Sequence, residues 1–367
     1  MDKSYLSAVE MPSYSLASYK IQSFFSAIFA PVMAKMIRNK DLLPHNSFRM
    51  AVNCALWIEY NSSDDLVRIL KDGNLPRPLL HIGGGSNLLF TGNWPGTVLH
   101  SAIQFIEPLS EKIRVGAGVA WDDFCAWCAE KGLWGPENLS GIPGEVGAAA
   151  VQNIGAYGTE IKDIIEQVNC LEVESLRPVS LSAQQCSYGY RDSIFKNEAK
   201  GKYIVLSVVF RLSGAEPNLS YSHLARAVQA EGIEEQHITP SQMRNLVLKI
   251  RKEKLPDPSE IGSAGSFFKN PVVPEEKYLS LCKRFDSIPH FLVGSGRVKI
   301  PAAWLIEQCG WKGYREGNVG VYEKQPLVIV NATGKANPRE ILAMEKKIKD
   351  SVWEKFGIEL FPEVEHI

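Results

Sequence analysis

Glycine usage constrains this chain more than any other feature. Two segments are too glycine-rich to be ordinary packed elements: "GGGSNLLF" (83–90) and "GIPGEVGAAAVQNIGAYG" (141–158), the second with glycine at 141, 144, 147, 155 and 158. The first directly follows "PLLHI" (78–82), which reads as a buried strand. Glycines placed there let backbone approach a ligand closely and aim N–H groups at phosphate oxygens. Neither G-x-G-x-x-G nor a P-loop is spelled out, since no Gly-Lys-Ser/Thr follows. Alone, the first segment reads equally well as a tight structural turn. The second disfavours a packed helix or strand, and Gln152 and Asn153 are its main polar side chains. Together the two segments point to a large, flat, phosphate-bearing ligand laid between two lobes.

The surrounding pattern alternates strand, helix and strand. "AVNCALWIEY" (51–60) reads as a strand, and "SSDDLVRILKDG" (62–73) as a capped helix ending at Gly73. Residues 160–212 are mostly strands, with "CSYGYRDSIFK" (186–196) between them. "SGAEPNLSY" (213–221) is a polar link into a region richer in helix. In "TPSQMRNLVLKIRKEKLPDP" (239–258) Thr239 can cap and Pro240 suits the first turn. Met243, Val247, Ile250 and Lys254 then share one stripe. Lys254 there is either a ligand contact or a lysine favoured by the helix dipole or snorkelling to water. Asn337, Pro338 and Glu340 open a last helix that Gly357 closes.

Charge and cysteine usage narrow the function. Forty Lys and Arg against 41 Asp and Glu leave a formal net charge of −1. Such a balance gives no electrostatic footprint for nucleic acid or an anionic membrane. Seven scattered cysteines argue against a disulfide framework and for the cytoplasm. Cys125 and Cys128 have redox-motif spacing, but Phe124, Trp127 and Cys128 recur at helical spacing, so a core-facing helix is expected. No further Cys or His pair supports a metal site. "SFFSAIFAPVM" (23–33) is too short to span a bilayer and lacks signal-peptide order. A peripheral amphipathic helix is the alternative there, and Met36 is a candidate start.

"GSAGSFFKNP" (262–271) surrounds Ser266 with small residues. By turn chemistry it is either a turn or a bare loop presenting one hydroxyl to a ligand.

In their order along the chain, "HNSF", "GGGSNLLF", "IPGEVGAAAVQNIGAYG", "YGYRDSIFK", "KLPDP", "GSFFKNPVV", "AAWLIEQCGWKG" and the final "PEV" closely resemble the UDP-N-acetylenolpyruvoylglucosamine reductases, the MurB family of peptidoglycan synthesis. "NLSY" with Tyr221 is similar to the tyrosine loop of one subclass. The resemblance starts near residue 44. It implies an α+β protein: an N-terminal extension (1–43), a two-lobe FAD-binding domain of the vanillyl-alcohol-oxidase type (44–214), and a smaller α+β substrate domain (215–367) whose last strand returns to the active site. It further implies that FAD is bound non-covalently, and the chain is expected to act in the cytoplasm, without a membrane span, as a monomer. NADPH would be the hydride donor and UDP-N-acetylglucosamine enolpyruvate the substrate.

Hydride addition at the enolpyruvyl terminal carbon leaves charge on an enolate conjugated to a carboxylate, which calls for a cation, hydrogen-bond donors and a proton. By resemblance Ser266 is the proton donor, its flanking glycines stripping the loop so that the hydroxyl can reach. Arg191 and Glu363 hold the carboxylate end. Arg191 has the planar fork for that task, or else makes a structural ion pair with Asp192 or elsewhere. Glu363 beside an acidic substrate must be protonated or paired with Arg191. Gly84, Gly85, Ser86 and Asn87 would cradle the FAD pyrophosphate, with Ile142, Gly155 and Ala156 also lining it. Tyr221, Lys254 and Asn270 would contact diphosphate or sugar, and Tyr190 the carboxylate. Two rival readings fit the same residues. One is an oxidase with FAD tethered through His or Cys, for which only His81 is near the first loop; the other is a nucleotide-binding protein without turnover.

Overall fold

The computed structural model of the chain describes residues 34–212 and 217–367. The apolar stretch 23–33 and the start of the polar link therefore lie outside the described residues.

The first lobe is built on a four-stranded sheet in the order Lys35–Asp41, Asn53–Tyr60, Trp94–Ser101, Leu79–Ile82. The first pair is antiparallel and the others are parallel. Asn53–Tyr60 is covered on both faces: Leu56, Ile58 and Tyr60 enter one core while Cys54 and Trp57 enter another. Burial on two faces explains why its sequence is nearly continuous in apolar residues. The Ser63–Asp72 helix begins as expected, with the Ser62 side chain accepting from Asp65 N and Gly73 left-handed at φ 70°. Residues 35–43, assigned above to an extension, contribute the edge strand of this sheet and the fully buried Leu42.

The second lobe is a five-stranded antiparallel sheet in the order Arg177–Ser182, Ile165–Glu172, Tyr203–Arg211, Lys112–Gly116, Ile106–Leu109. Tyr203–Arg211 joins the lobes, because Val205, Val208 and Phe210 fill the second lobe's core while Ile204 and Leu206 pack with Leu56, Ile58 and Leu99 of the first. Cys125 and Cys128 are buried in the Trp121–Glu130 helix, where desolvation pushes both thiols up. They are core residues.

The expected 215–367 unit divides in its packing. Helices Ser222–Ala230 and Pro240–Lys254 bury Leu224, Val228, Met243 and Val247 against Trp134 of the second lobe. Residues from 264 onward instead build a separate core that takes in Phe48, Met50 and Leu89 of the first lobe. That core carries the sheet order Gly262–Ser263, Ile329–Asn331, Val319–Val321, Arg315–Glu316, covered by the Pro338–Phe356 helix. The chain then turns back, and Glu365–His366 pairs in parallel with Leu88–Leu89, within the first glycine segment and just past its three glycines. No helix of the described residues is long and apolar enough to cross a membrane.

Candidate active site

The two glycine segments face each other. A Cβ on Gly84 would sit 3.5 Å from the Gly144 Cα, and Ser86 Oγ donates to the Pro143 carbonyl at 3.1 Å. Gly85 has φ 69°, and a Cβ there would lie 1.9 Å from the His45 carbonyl oxygen. The "HNSF" turn thus braces the first loop, with Ser47 N and Oγ donating to the carbonyls of Gly85 and Ser86. Where the segments meet, the surface is largely backbone with the Ser86 hydroxyl and the Glu145 carboxylate at its edges, a surface that suits a pyrophosphate.

The second segment is not loop throughout. Val146–Gln152 is a short helix, contrary to the expectation from its glycines. Gly147 is tolerated there because a Cβ would lie 2.9 Å from that of Ala117, so close packing against the sheet overrides propensity. Ile142 and Ala156 are half-buried against the second lobe's core.

Gly155–Ala156 forms a hairpin with Thr159–Glu160, and Arg191 docks on it by donating from Nη2 to the Gly155 carbonyl. Arg191 Nε donates to Glu363 Oε1 at 2.9 Å, with the two side chains 17% and 18% exposed. Glu363 rather than Asp192 is therefore its partner. Arg191 sits in a turn closed by two hydrogen bonds between Gly189 and Asp192, and it has φ 54°. Such a conformation costs a non-glycine residue about 1 kcal/mol or more and persists only where surrounding contacts over-determine it. Asn153, fully buried, supplies one of these contacts by donating to the Gly189 carbonyl at 2.7 Å.

Glu363 in turn is fixed by backbone: its N–H donates to the Phe267 carbonyl at 2.8 Å, and Asn87 Nδ2 donates to the Glu363 carbonyl at 3.2 Å. Backbone pairing therefore brings the segment that carries Ser266 alongside the segment that carries Glu363, and Asn87 ties the latter to the first glycine segment. Ser266 is half-buried, and its hydroxyl has no hydrogen-bond partner among the described residues. Its flanking glycines do not strip the loop in one way. Gly262 permits close approach to the Phe48 carbonyl, where a Cβ would lie 2.3 Å away, whereas Gly265 supplies φ 69° in open space.

Tyr190 OH accepts from Asn270 Nδ2 at 3.1 Å, and Asn270 Oδ1 accepts from Ala302 N at 2.9 Å. Both residues also line a cleft of about 970 Å³ with Lys269, Lys277, Ile358 and Phe361; Ser266, Arg191 and Glu363 do not line it. Tyr221 and Lys254 stand apart from this group. The Tyr221 ring meets Tyr157 edge-on at 5.4 Å, and the loop before it packs on Gly158 at the other end of the hairpin. Lys254, half-buried in the last turn of its helix, is close enough to His223 to help burial lower that imidazole's pKa.

Two cations escaped the reading from sequence. Lys299 Nζ lies over the Tyr190 ring at 4.7 Å, and Lys196 donates to Gln152 Oε1 at 2.6 Å. Burial pulls both ammonium groups down in pKa; Lys196 also feels Lys269, with Glu363, Glu365 and Asp192 opposing. Lys196 stands within "YGYRDSIFK", which was the available signal; Lys299 carried none.

Two family profiles match the chain: UDP-N-acetylenolpyruvoylglucosamine reductase, C-terminal domain, over residues 257–367, and FAD binding domain over residues 55–175. The UDP-N-acetylenolpyruvoylglucosamine reductase of Bacteroides fragilis is 45% identical over 338 residues, covering 90% of this chain and 100% of the relative. That of Chromobacterium violaceum is 44% identical over 331 residues, covering 88% and 96%. Among solved structures, the UDP-N-acetylenolpyruvylglucosamine reductase of Thermus caldophilus superposes with a TM-score of 0.63 at 22% identity, over 91% of this chain and 98% of that one.

Proposed function

The chain belongs to the UDP-N-acetylenolpyruvoylglucosamine reductase family, and from that membership we propose a role for each residue of its site. The protein is an FAD-dependent oxidoreductase of α+β fold that reduces UDP-N-acetylglucosamine enolpyruvate to UDP-N-acetylmuramate in peptidoglycan precursor synthesis. FAD, when bound, supplies the hydride-transfer chemistry, with NADPH as the source of the hydride.

The largely backbone surface where the glycine segments meet fits the FAD pyrophosphate. Gly84, Gly85, Ser86 and Asn87 would hold it from one side, and Ile142, Gly155 and Ala156 would line it from the other. Arg191 keeps N–H groups to spare after its bonds to Glu363 and Gly155. Those groups bind the substrate carboxylate and stabilise the charge that develops on the enolate. Glu363 aims the guanidinium, and because the pair sums to no net charge, Lys196 and Lys299 keep the surroundings positive. Ser266 delivers the proton to the carbon next to the carboxylate. Tyr190 and Asn270 form one binding wall, with Tyr221 and Lys254 reaching the diphosphate from the other end of the 155–160 hairpin.

We place the boundary of the C-terminal substrate domain near residue 257, since the helices before it pack on the second lobe. A monomer acting in the cytoplasm completes the proposal; the described cysteines carry no disulfide, which fits a reducing compartment.

The observation that carries the assignment of roles is the Arg191–Glu363 pair, whose Glu363 lies on a segment paired by backbone with the one that carries Ser266. Ser266→Ala tests it through the two half-reactions. Flavin reduction by NADPH should survive, because that step protonates no enol. Reoxidation by the enolpyruvyl substrate should slow ~10²–10⁴-fold, the usual loss for a positioned general acid, with substrate affinity changing far less. Wild-type reoxidation in the variant would remove Ser266 from the mechanism.

A further inference from the structure

Beneath the cradle lies a charged cluster that the mechanism above does not use. His100, on the Trp94–Ser101 strand of the first lobe, donates from Nε2 to Glu145 Oε1 at 2.8 Å. Glu145 belongs to the second glycine segment, and the two side chains are only 12% and 14% exposed. The pair therefore crosses from one lobe to the other. The second carboxylate oxygen of Glu145 abuts the first segment as well: a Cβ on Gly83 would lie 3.3 Å from it. His100 stacks on Trp57 at 5.1 Å, and Trp57 holds His45 at 4.1 Å. The backbone carbonyl of His45 is the atom that Gly85 accommodates. One cluster thus touches both glycine segments.

The charge in this cluster is localised. Burial opposes protonation of His100, but Glu145 and then Glu59 outweigh it and hold its pKa above the ordinary value. Burial lowers His45 and His81 to about 4, with the His100 cation adding to the effect in both; Lys40 lowers His45 further and Glu59 opposes. His81 also bonds Tyr60 OH at 2.8 Å. Besides a few neutral hydrogen bonds such as that from Ser86 Oγ to the Pro143 carbonyl, the lobes meet through apolar side chains, whose attraction is non-directional. A buried charged hydrogen bond sets distance and orientation, and removing one partner strands the other.

We propose that the His100–Glu145 ion pair is a clamp that holds the two glycine segments at the spacing the FAD pyrophosphate needs, with both groups acting as positioning residues. The proposal rests on the flavin reading above and adds the residues that preset its cradle. Without the clamp, flavin binding must itself order the two lobes, and affinity falls by what that ordering costs.

The test is dilution of purified holoenzyme, with released FAD followed by its fluorescence, for wild type, His100→Ala, Glu145→Ala, the double variant and Glu145→Gln. Each Ala variant should bind FAD ~10–100-fold more weakly, the range for losing one partner of a buried charged hydrogen bond. The double variant should be no worse than the poorer single one. Glu145→Gln should recover part of the affinity, because its amide oxygen still accepts from His100. Wild-type affinity should weaken as pH rises through the raised His100 pKa, and the Ala variants should lose that dependence. A merely structural pair would instead lower the melting temperature of every variant while FAD affinity stayed within twofold and the pH profile was unchanged; that outcome overturns the clamp. If the Ala variants do not fold, Glu145→Gln and the wild-type pH profile decide alone. Wild-type protein that holds no FAD would sink the flavin reading itself, a result distinct from unaltered variants.

Discussion

Gly84 and Gly85 are neighbours with separable tasks. A side chain at Gly84 meets only ordinary contact with Gly144 and fills the space between the segments, whereas one at Gly85 collides with the His45 carbonyl. Gly84→Val should therefore leave the fold intact and abolish flavin retention. Gly85→Ala should destabilise the protein by more than ~1 kcal/mol even without flavin, because left-handed backbone and a backbone clash act together. Urea midpoints and flavin content of both variants check this, and equal behaviour would contradict it. The residue scale also shows how far sequence reaches. Glycine chemistry alone marked the 83–90 segment but left a tight turn equally open, and the cradle role proposed for Gly84 to Asn87 came with motif order. Ser266, Arg191 and Glu363 were legible only through motif order, because Arg191 and its partner are 172 residues apart. His100, Glu145 and Lys299 left no local mark, since their roles arise from juxtaposition across lobes.

At the level of elements, local rules held where the element caps itself. The Pro240–Lys254 helix opens with the Thr239–Gln242 capping box and the Pro338–Phe356 helix with that of Asn337 and Glu340. They failed where tertiary contact decided, as in the glycine-bearing helix 146–152 and the Lys35–Asp41 strand, which has no period to announce it. That strand belongs to the fold, and Leu42→Ala just beyond it should cost about 2–5 kcal/mol, as expected for a fully buried leucine. A urea midpoint equal to wild type would show the N-terminal edge to be dispensable. The first sheet also predicts a pH response. Burial, helped by the His100 charge, holds His81 and His45 down at about 4 in the fold, against about 6.5 in the unfolded chain. The unfolded chain thus takes up more protons as pH falls from about 6.5 to 4, and stability should drop through that window. His100, raised rather than lowered, contributes stability that is lost as pH rises through its folded pKa. His81→Gln should flatten the acid side of the urea-midpoint profile, and an unchanged slope would exclude His81 as a source.

At the scale of the whole molecule, the chain's end completes the site that its first half begins. Glu365–His366 pairs beside the first glycine segment, and Glu363, just before it, holds Arg191 of the second lobe. Three separately packed units thereby converge on one cluster, which is why no single segment of the sequence spells the site. Two consecutive steps in one cuvette test the assigned reaction most directly. Purified protein should be yellow, and anaerobic NADPH should bleach its flavin absorbance. UDP-N-acetylglucosamine enolpyruvate, added without oxygen, should then restore the absorbance and yield UDP-N-acetylmuramate in stoichiometric amount. Flavin that bleaches with NADPH and stays bleached on addition of the enolpyruvyl substrate would contradict the account.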